Sequence, residues 1–241
     1  MAQARRGRSS LRQEVADEIK RHMLAHRMRP GDPLPTESEL CATLGASRSS
    51  VREAVTSLAA LDIVEVRHGH GTYVGGLGLS ALAESVTFRG LLSPDDDFRA
   101  YADLVDVREL FERGNADGIV AALTPAHLDA LDDLVTEMAR HPAGGDGFTA
   151  ADRAFHTLLV EPLGNDLISR LTQALWDSHQ AVGPQLGMVT PDDERRSLAA
   201  HRAVVDAARS GDASAFAAAI GAHYAPVRGR VAAARGAAGR P

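Results

Sequence analysis

Cysteine is almost missing from this sequence. Cys41 stands alone, which excludes an intrachain disulfide framework and any metal or redox site built on paired cysteines. Aromatic residues make up 4% of the chain, too few for the stacking platforms on which single-stranded nucleic acids are bound. No run approaches the ~18 consecutive apolar residues of a membrane-spanning helix. The opening MAQARRGRSS is basic but has no apolar stretch behind it that would read as a secretory leader, so the expected location is the cytoplasm. Lysine is also scarce: Lys20 is the single one, and arginine supplies the other basic residues.

What is present is ordinary for a globular protein: 241 residues, 44% hydrophobic and 24% charged, enough for one large or two smaller domains. The net charge of -6 is unevenly distributed. Residues 1–77 carry 11 basic against 9 acidic side chains and the remainder 15 against 23, as expected if the front part meets a polyanion.

Residues 1–10 lack periodicity and read as a disordered basic arm. From Leu11, apolar residues at Val15, Ile19, Met23 and Leu24 recur at helical spacing until Arg29-Pro30-Gly31-Asp32-Pro33, which reads as a turn. Thr36 is an N-cap with Glu39 three residues on, completing a capping box for a short helix that Gly45 ends. Ser47 caps a third helix running to about Leu61. Two helices joined by a tight turn at a glycine form a helix-turn-helix signal. Val51, Val55 and Leu58 form the buried stripe of the third helix, which leaves Arg48, Ser49, Arg52 and Thr56 on its other side. Arginines in the first turns suit a recognition helix, since guanidinium groups bond bidentately to guanine in the major groove. Ile63–Val66 and Thr72–Val74 read as strands of a hairpin wing whose tip, Arg67-His68-Gly69-His70-Gly71, suits a minor groove or a phosphate.

The stretch LPTESELCATLGASRSSVREAVTSLAALDIVEVRHGHGTYV resembles the winged helix-turn-helix of GntR-type bacterial transcription factors, over residues 10–75. The resemblance implies a DNA-binding domain of three helices plus a β-hairpin wing over residues 11–76. The implied DNA contacts are Thr36, Ser38, Ser47, Arg48, Ser49, Arg52, His68, Gly69 and His70. Two positions depart from the pattern. Ser38 stands where many relatives carry arginine, and Asp62 replaces the usual glycine after the recognition helix, a residue type that tolerates the left-handed conformation.

Gly75, Gly76 and Gly78 read as a flexible linker, with a linker region and helix over 77–97. Beyond it the expected fold is mainly α, an all-α bundle over 98–235 with a disordered tail at 236–241. Helices are expected at 80–92, 98–122, 125–140, 147–161, 165–186, 191–210 and 212–234, with Pro226 kinking or shortening the last. Asp152 and His156 are one turn apart on one helix face, and His201 and His223 lie on two later helices. Such a carboxylate and three imidazoles would suit a mononuclear site for zinc, or nickel, manganese or iron by ligand type. Surface or hydrogen-bonded core histidines would show the same spacing.

The rear region is similar to the FCD ligand-binding domain of the FadR branch of GntR regulators. That similarity rests on Val107-Arg108-Glu109-Leu110-Phe111-Glu112, Asp152-Arg153-Ala154-Phe155-His156 with Gly164-Asn165, and Ala200-His201-Arg202 through Ala207 with Gly211-Asp212 and His223. It implies that Asp152, His156, His201 and His223 ligate a divalent metal, and that Arg108 and Asn165 meet a small carboxylate effector. Arg108 would otherwise be a surface pair with Glu112, and Asn165 a helix cap. The helix bearing Trp176 and His179 is expected to line the cavity.

The function so implied is a ligand-responsive regulator, a repressor in most of the family, which binds a palindromic operator as a homodimer and is not an enzyme. One alternative is the same DNA reader with a metal-free pocket for a hydrophobic or acyl effector. A remoter one is a metal-dependent hydrolase or lyase, against which stands the lack of a general base placed with the four ligands.

Overall fold

The computed structural model describes residues 2–92, 98–187 and 189–238. It divides into two compact units, residues 1–81 and 82–241.

In the first unit, α1 (Ala2–Ala25) packs on α2 (Glu37–Leu44) and α3 (Arg48–Ala59), and β1 (Val64–Arg67) pairs antiparallel with β2 (Gly71–Val74). Val15, Ile19, Leu40, Val51, Val55 and Leu58 form its core with Val64 and Val74 from the hairpin. The stripe expected on α3 is therefore the buried one. Helix α1 begins at Ala2, not Leu11, so residues 2–10 continue it where the sequence reading placed a disordered arm. Alanine, glutamine and arginine are strong helix formers, and nothing between Ala2 and Arg6 breaks the run. The Pro-rich turn also does more than expected. Leu34 N donates to Thr72 O and Val74 N to Asp32 O, at 2.8 Å each, so this segment forms a third edge of the wing.

The glycines after the wing make a strap and not a free linker. At Gly75 a Cβ would stand 2.2 Å from the Asp62 carbonyl oxygen, a position only glycine fits. Leu77 N donates to that oxygen at 3.0 Å, and Asp62, at φ +55°, accepts from Ser80 N at 3.1 Å and from Ser80 Oγ through its carboxylate. Asp62 thus caps the start of α4 (Ser80–Leu91) from the foot of the wing. Asp62→Ala removes this cap and leaves an ordinary side chain at positive φ. The expected cost is about 1–2 kcal/mol, read as a lower urea midpoint by circular dichroism.

In the second unit the described helices are α5 (Arg99–Gly114), α6 (Ala116–Ala122), α7 (Pro125–Met138), α8 (Asp146–Val160), α9 (Asp166–Val182), α10 (Pro191–Ser210), α11 (Ala213–His223) and α12 (Ala225–Ala238). Their core is built around Tyr101, Ile119, Leu131, Met138, Phe155, Val204, Phe216 and Ile220. The single helix expected at 98–122 is broken at Asn115, whose Nδ2 donates to Phe111 O at 2.6 Å and competes with the backbone ladder. The helix expected at 212–234 is likewise two, interrupted at Tyr224 because Pro226 has no N–H to continue the ladder. Helix α12 runs through Ala238, into the segment expected as a tail; 239–241 and the Ser93-Pro94 break lie outside the described residues.

Candidate DNA-reading surface and candidate metal centre

The capping box holds: Thr36 Oγ1 accepts from Glu39 N at 3.3 Å, and Glu39 Oε2 accepts from Thr36 N at 2.8 Å. Ser47 Oγ accepts from Ser50 N at 3.2 Å and starts α3. Both hydroxyls are thus engaged in building the helix termini, which sets the surface they share with exposed Ser38, Arg48, Ser49 and Arg52. Arg52 Nε donates to Glu37 Oε2 at 2.8 Å, an ion pair from α3 to α2 that holds the guanidinium over the helix-turn-helix. His68, Gly69 and His70 form an exposed turn closed by His70 N donating to Arg67 O at 2.9 Å, and Tyr73 Oη bonds His70 O at 3.1 Å. All nine expected DNA contacts lie in the helix-turn-helix and wing.

In the second unit α8 turns Phe148, Ala151, Asp152, Phe155, His156 and Leu159 inward on one face. His201 comes from the buried face of α10 and His223 from the end of α11. One ligand atom from each histidine lies within 4.8 Å of the others. Asp152 Oδ1 is 2.8 Å from His201 Nε2 and 3.7 Å from His156 Nε2, so the fourth expected ligand borders the three-histidine group on the side of these two.

Their hydrogen bonds fix which nitrogens face inward. His201 Nδ1 donates to Ser197 O at 2.8 Å, and His156 Nδ1 lies 2.8 Å from Glu112 Oε1, which turns each Nε2 atom toward the cluster. His201 Nε2 and Asp152 Oδ1 face each other across 2.8 Å at this cluster. His223 Nδ1 is buried without a hydrogen-bond partner. Burial, then the neighbouring His201 and His156, push the His223 imidazole well below its ordinary pKa, into the neutral form that ligates. Burial opposes the charge on Asp152, but the hydrogen bond to His201 and the charges of His156, His201 and Arg108 hold its carboxyl far below the usual range. An orphaned imidazole nitrogen, two Nε2 atoms turned inward and an ionised carboxylate fit a divalent cation.

A cavity of about 530 Å³ opens beside these residues, lined also by Tyr101, Arg108, His179, Gln180 and Arg230. Arg108 is buried, its guanidinium carbon 5.4 Å from the Tyr224 ring centroid, and its Nη2 has no hydrogen-bond partner. Burial works against its charge, but Tyr224, Glu112 and Asp152 raise its pKa further. The surface-pair reading of Arg108 does not hold. Asn165 is the expectation that fails: it is exposed, its Oδ1 accepts from Ile168 N at 3.3 Å as the cap of α9, and it does not line the cavity.

Comparison with known proteins gives the same division of the chain. Residues 11–74 match the bacterial regulatory proteins of the gntR family and 103–226 the FCD domain. The chain belongs to the GntR family. It is 46% identical over 107 residues to the transcriptional regulatory protein NedR of Micromonospora viridifaciens, covering 44% of this chain and 75% of that one. It is 28% identical over 186 residues to the galactonate operon transcriptional repressor of Escherichia coli strain K12, covering 77% and 81%. The solved structure of Streptococcus agalactiae GntR superimposes with a TM-score of 0.66 at 30% identity, over 90% of this chain and 98% of that one. This GntR-family protein is therefore a DNA-binding transcription regulator, with an FCD domain behind its helix-turn-helix.

Sequence reading gives Glu112 only as a partner for Arg108, and of the two residues expected on a cavity-lining helix His179 lines the cavity while Trp176 is buried behind Asp152. Glu112 orients His156, and Trp176 Nε1 donates to Asp152 Oδ2 at 2.8 Å. Their bonds span 44 and 24 residues, so no local spacing marks them. No helix among the described residues is long and apolar enough to cross a membrane.

Proposed function

We propose that this regulator, of the FadR type and acting as a repressor, binds a palindromic operator as a homodimer. Asp152, His156, His201 and His223 would hold a divalent ion, zinc by ligand type, that helps to bind a small organic acid. The observation that carries the reading is Arg108: a buried cation in the cavity wall beside the four ligands, with an Nη2 that lacks a partner. A buried guanidinium in this state calls for an anion, and a carboxylate takes it bidentately. The ion would supply a Lewis-acidic partner for the same acid. Glu112 and Trp176 keep the ligands oriented, and Arg108 fixes the carboxylate. The relative named for galactonate regulation supports an acid as effector. Val107 and Leu110, exposed apolar side chains on α5, support a face for a second copy.

The acid acts by binding better to one of two states, DNA-competent or not. The test is operator affinity by fluorescence anisotropy, on a fragment selected by the protein from genomic DNA, with and without a panel of carboxylic acids. At least one acid is expected to change the affinity about five- to 150-fold, and Arg108→Ala to abolish that response while acid-free DNA binding persists. A wild-type affinity indifferent to every acid, or an Arg108→Ala variant that responds normally, contradicts the reading.

A further inference from the structure

The cavity holds a second guanidinium, and its place bears on which acids fit. Arg230 comes from α12 and stands in a wall shared by the cavity and a shallower groove along α10 and α12, lined by Leu186, Ala199, Ala222 and Ala225. Its Nη2 donates to Gly187 O at 2.8 Å. Among the described residues neither Arg230 nor Arg108 is hydrogen-bonded to a carboxylate. The nearby acids are engaged elsewhere: Asp193 in the cap with Thr190 at 3.0 and 2.6 Å, Asp152 with His201 and Trp176, and Glu112 with His156.

Tyr101 and His179 line the same cavity as the two arginines and are joined by a 2.9 Å hydrogen bond between the phenol oxygen and Nδ1. Burial drives the Tyr101 pKa up and that of His179 down, and both guanidinium groups act on each ring. Both rings are thus neutral hydrogen-bonding groups within the field of two cations. The volume of about 530 Å³ falls in the ~300–1,000 Å³ range of drug-sized ligands, more space than a three-carbon acid fills.

We infer that Arg230 is a second anion subsite and that the effector is a dicarboxylic acid, one carboxylate at Arg108 beside the histidines and the other at Arg230. This rests on the acid-binding reading above. The open groove beyond Arg230 provides the route by which the acid reaches the cavity, and Arg230 exchanges the Gly187 carbonyl for the second carboxylate. Tyr101, His179 and Gln180 then face the middle of the ligand, where hydroxyl substituents would find donors and acceptors.

The test is calorimetric titration of the metal-loaded full chain with acetate, L-lactate, succinate, D-tartrate and galactarate. A dicarboxylate is expected to bind about ten-fold or more tightly than either monocarboxylate, as one added charge-assisted pair provides. Arg230→Gln keeps an N–H for Gly187 O while removing the charge. It is expected to weaken the dicarboxylate about ten-fold and to leave the monocarboxylates within about two-fold, whereas Arg108→Ala weakens both classes. Monocarboxylates that match the dicarboxylates, or an Arg230→Gln variant that binds both classes like the wild type, overturn the inference and leave the acid-binding reading standing. Failure of every acid to bind overturns both.

Discussion

Replacing His201 by alanine is expected to empty the metal centre: elemental analysis should fall from about one divalent ion per chain to a trace. The size of the effect follows from what His201 does. Its Nε2 lies 2.8 Å from Asp152 Oδ1 and its ring centroid 4.3 Å from that of His223, so the side chain joins two of the other three donors. Its removal takes away one donor and one of the two 2.8 Å partners of a buried carboxylate, a disruption of up to about 3–5 kcal/mol. Part of that cost falls on folding, so a gentler variant is needed beside it. Glu112→Gln keeps the size of the residue at His156 and loses the charge that orients the ring. It should weaken metal binding by about 10–100-fold, the ordinary cost of losing an orienting carboxylate, while the helical content is retained. Full metal content in both variants would remove the four residues from consideration as ligands.

The second large effect belongs to the other unit. Arg48→Ala and Arg52→Ala are each expected to cost ~1–3 kcal/mol of operator binding at fixed salt, about five- to 150-fold. The two should differ in character. Arg48 is exposed at the first residue of α3, whereas Arg52 is paired with Glu37 at 2.8 Å. Removing Arg52 therefore leaves a carboxylate uncompensated on the face offered to a polyanion, and part of its loss should be recovered in the Arg52→Ala, Glu37→Gln double variant. A base contact shows itself by relaxed sequence preference at one position. A phosphate contact shows itself by uniform weakening and a salt slope smaller by about one. Operator affinities within a factor of two of wild type for both single variants would mean that α3 is not the reading helix.

How much of this was legible without coordinates depends on the range of the interactions. The Thr36–Glu39 capping box, the Val51, Val55 and Leu58 stripe and the one-turn relation of Asp152 and His156 are all local, and each stands in the structure as its spacing implied. The convergence of His201 and His223 on them was legible only through resemblance to a family, because spacing alone favours surface or hydrogen-bonded core histidines. Glu112 reads locally as half of a surface pair and is instead buried against a histidine from α8. Asn165 failed for the opposite reason: an asparagine ahead of a helix serves as its cap by local chemistry, and the capping alternative was the right one. The glycines after the wing look like a linker by composition, yet Gly75 is glycine because the Asp62 carbonyl occupies the space where a side chain would be. Composition reports backbone freedom, and only tertiary contact shows whether that freedom is used for motion or for close approach.

On the proposed reading, the four ligands of the second unit make the DNA-binding unit responsive to an organic acid through a bound ion. This responsiveness is tested most directly by one anisotropy titration of the selected operator fragment at fixed salt. The metal-loaded protein is compared with protein stripped by chelation, each with and without the tightest-binding acid. A shift of about five-fold or more in operator affinity is expected for the loaded protein, no shift for the stripped protein, and recovery when the ion is returned. The same acid-induced shift with and without the ion would contradict the reading.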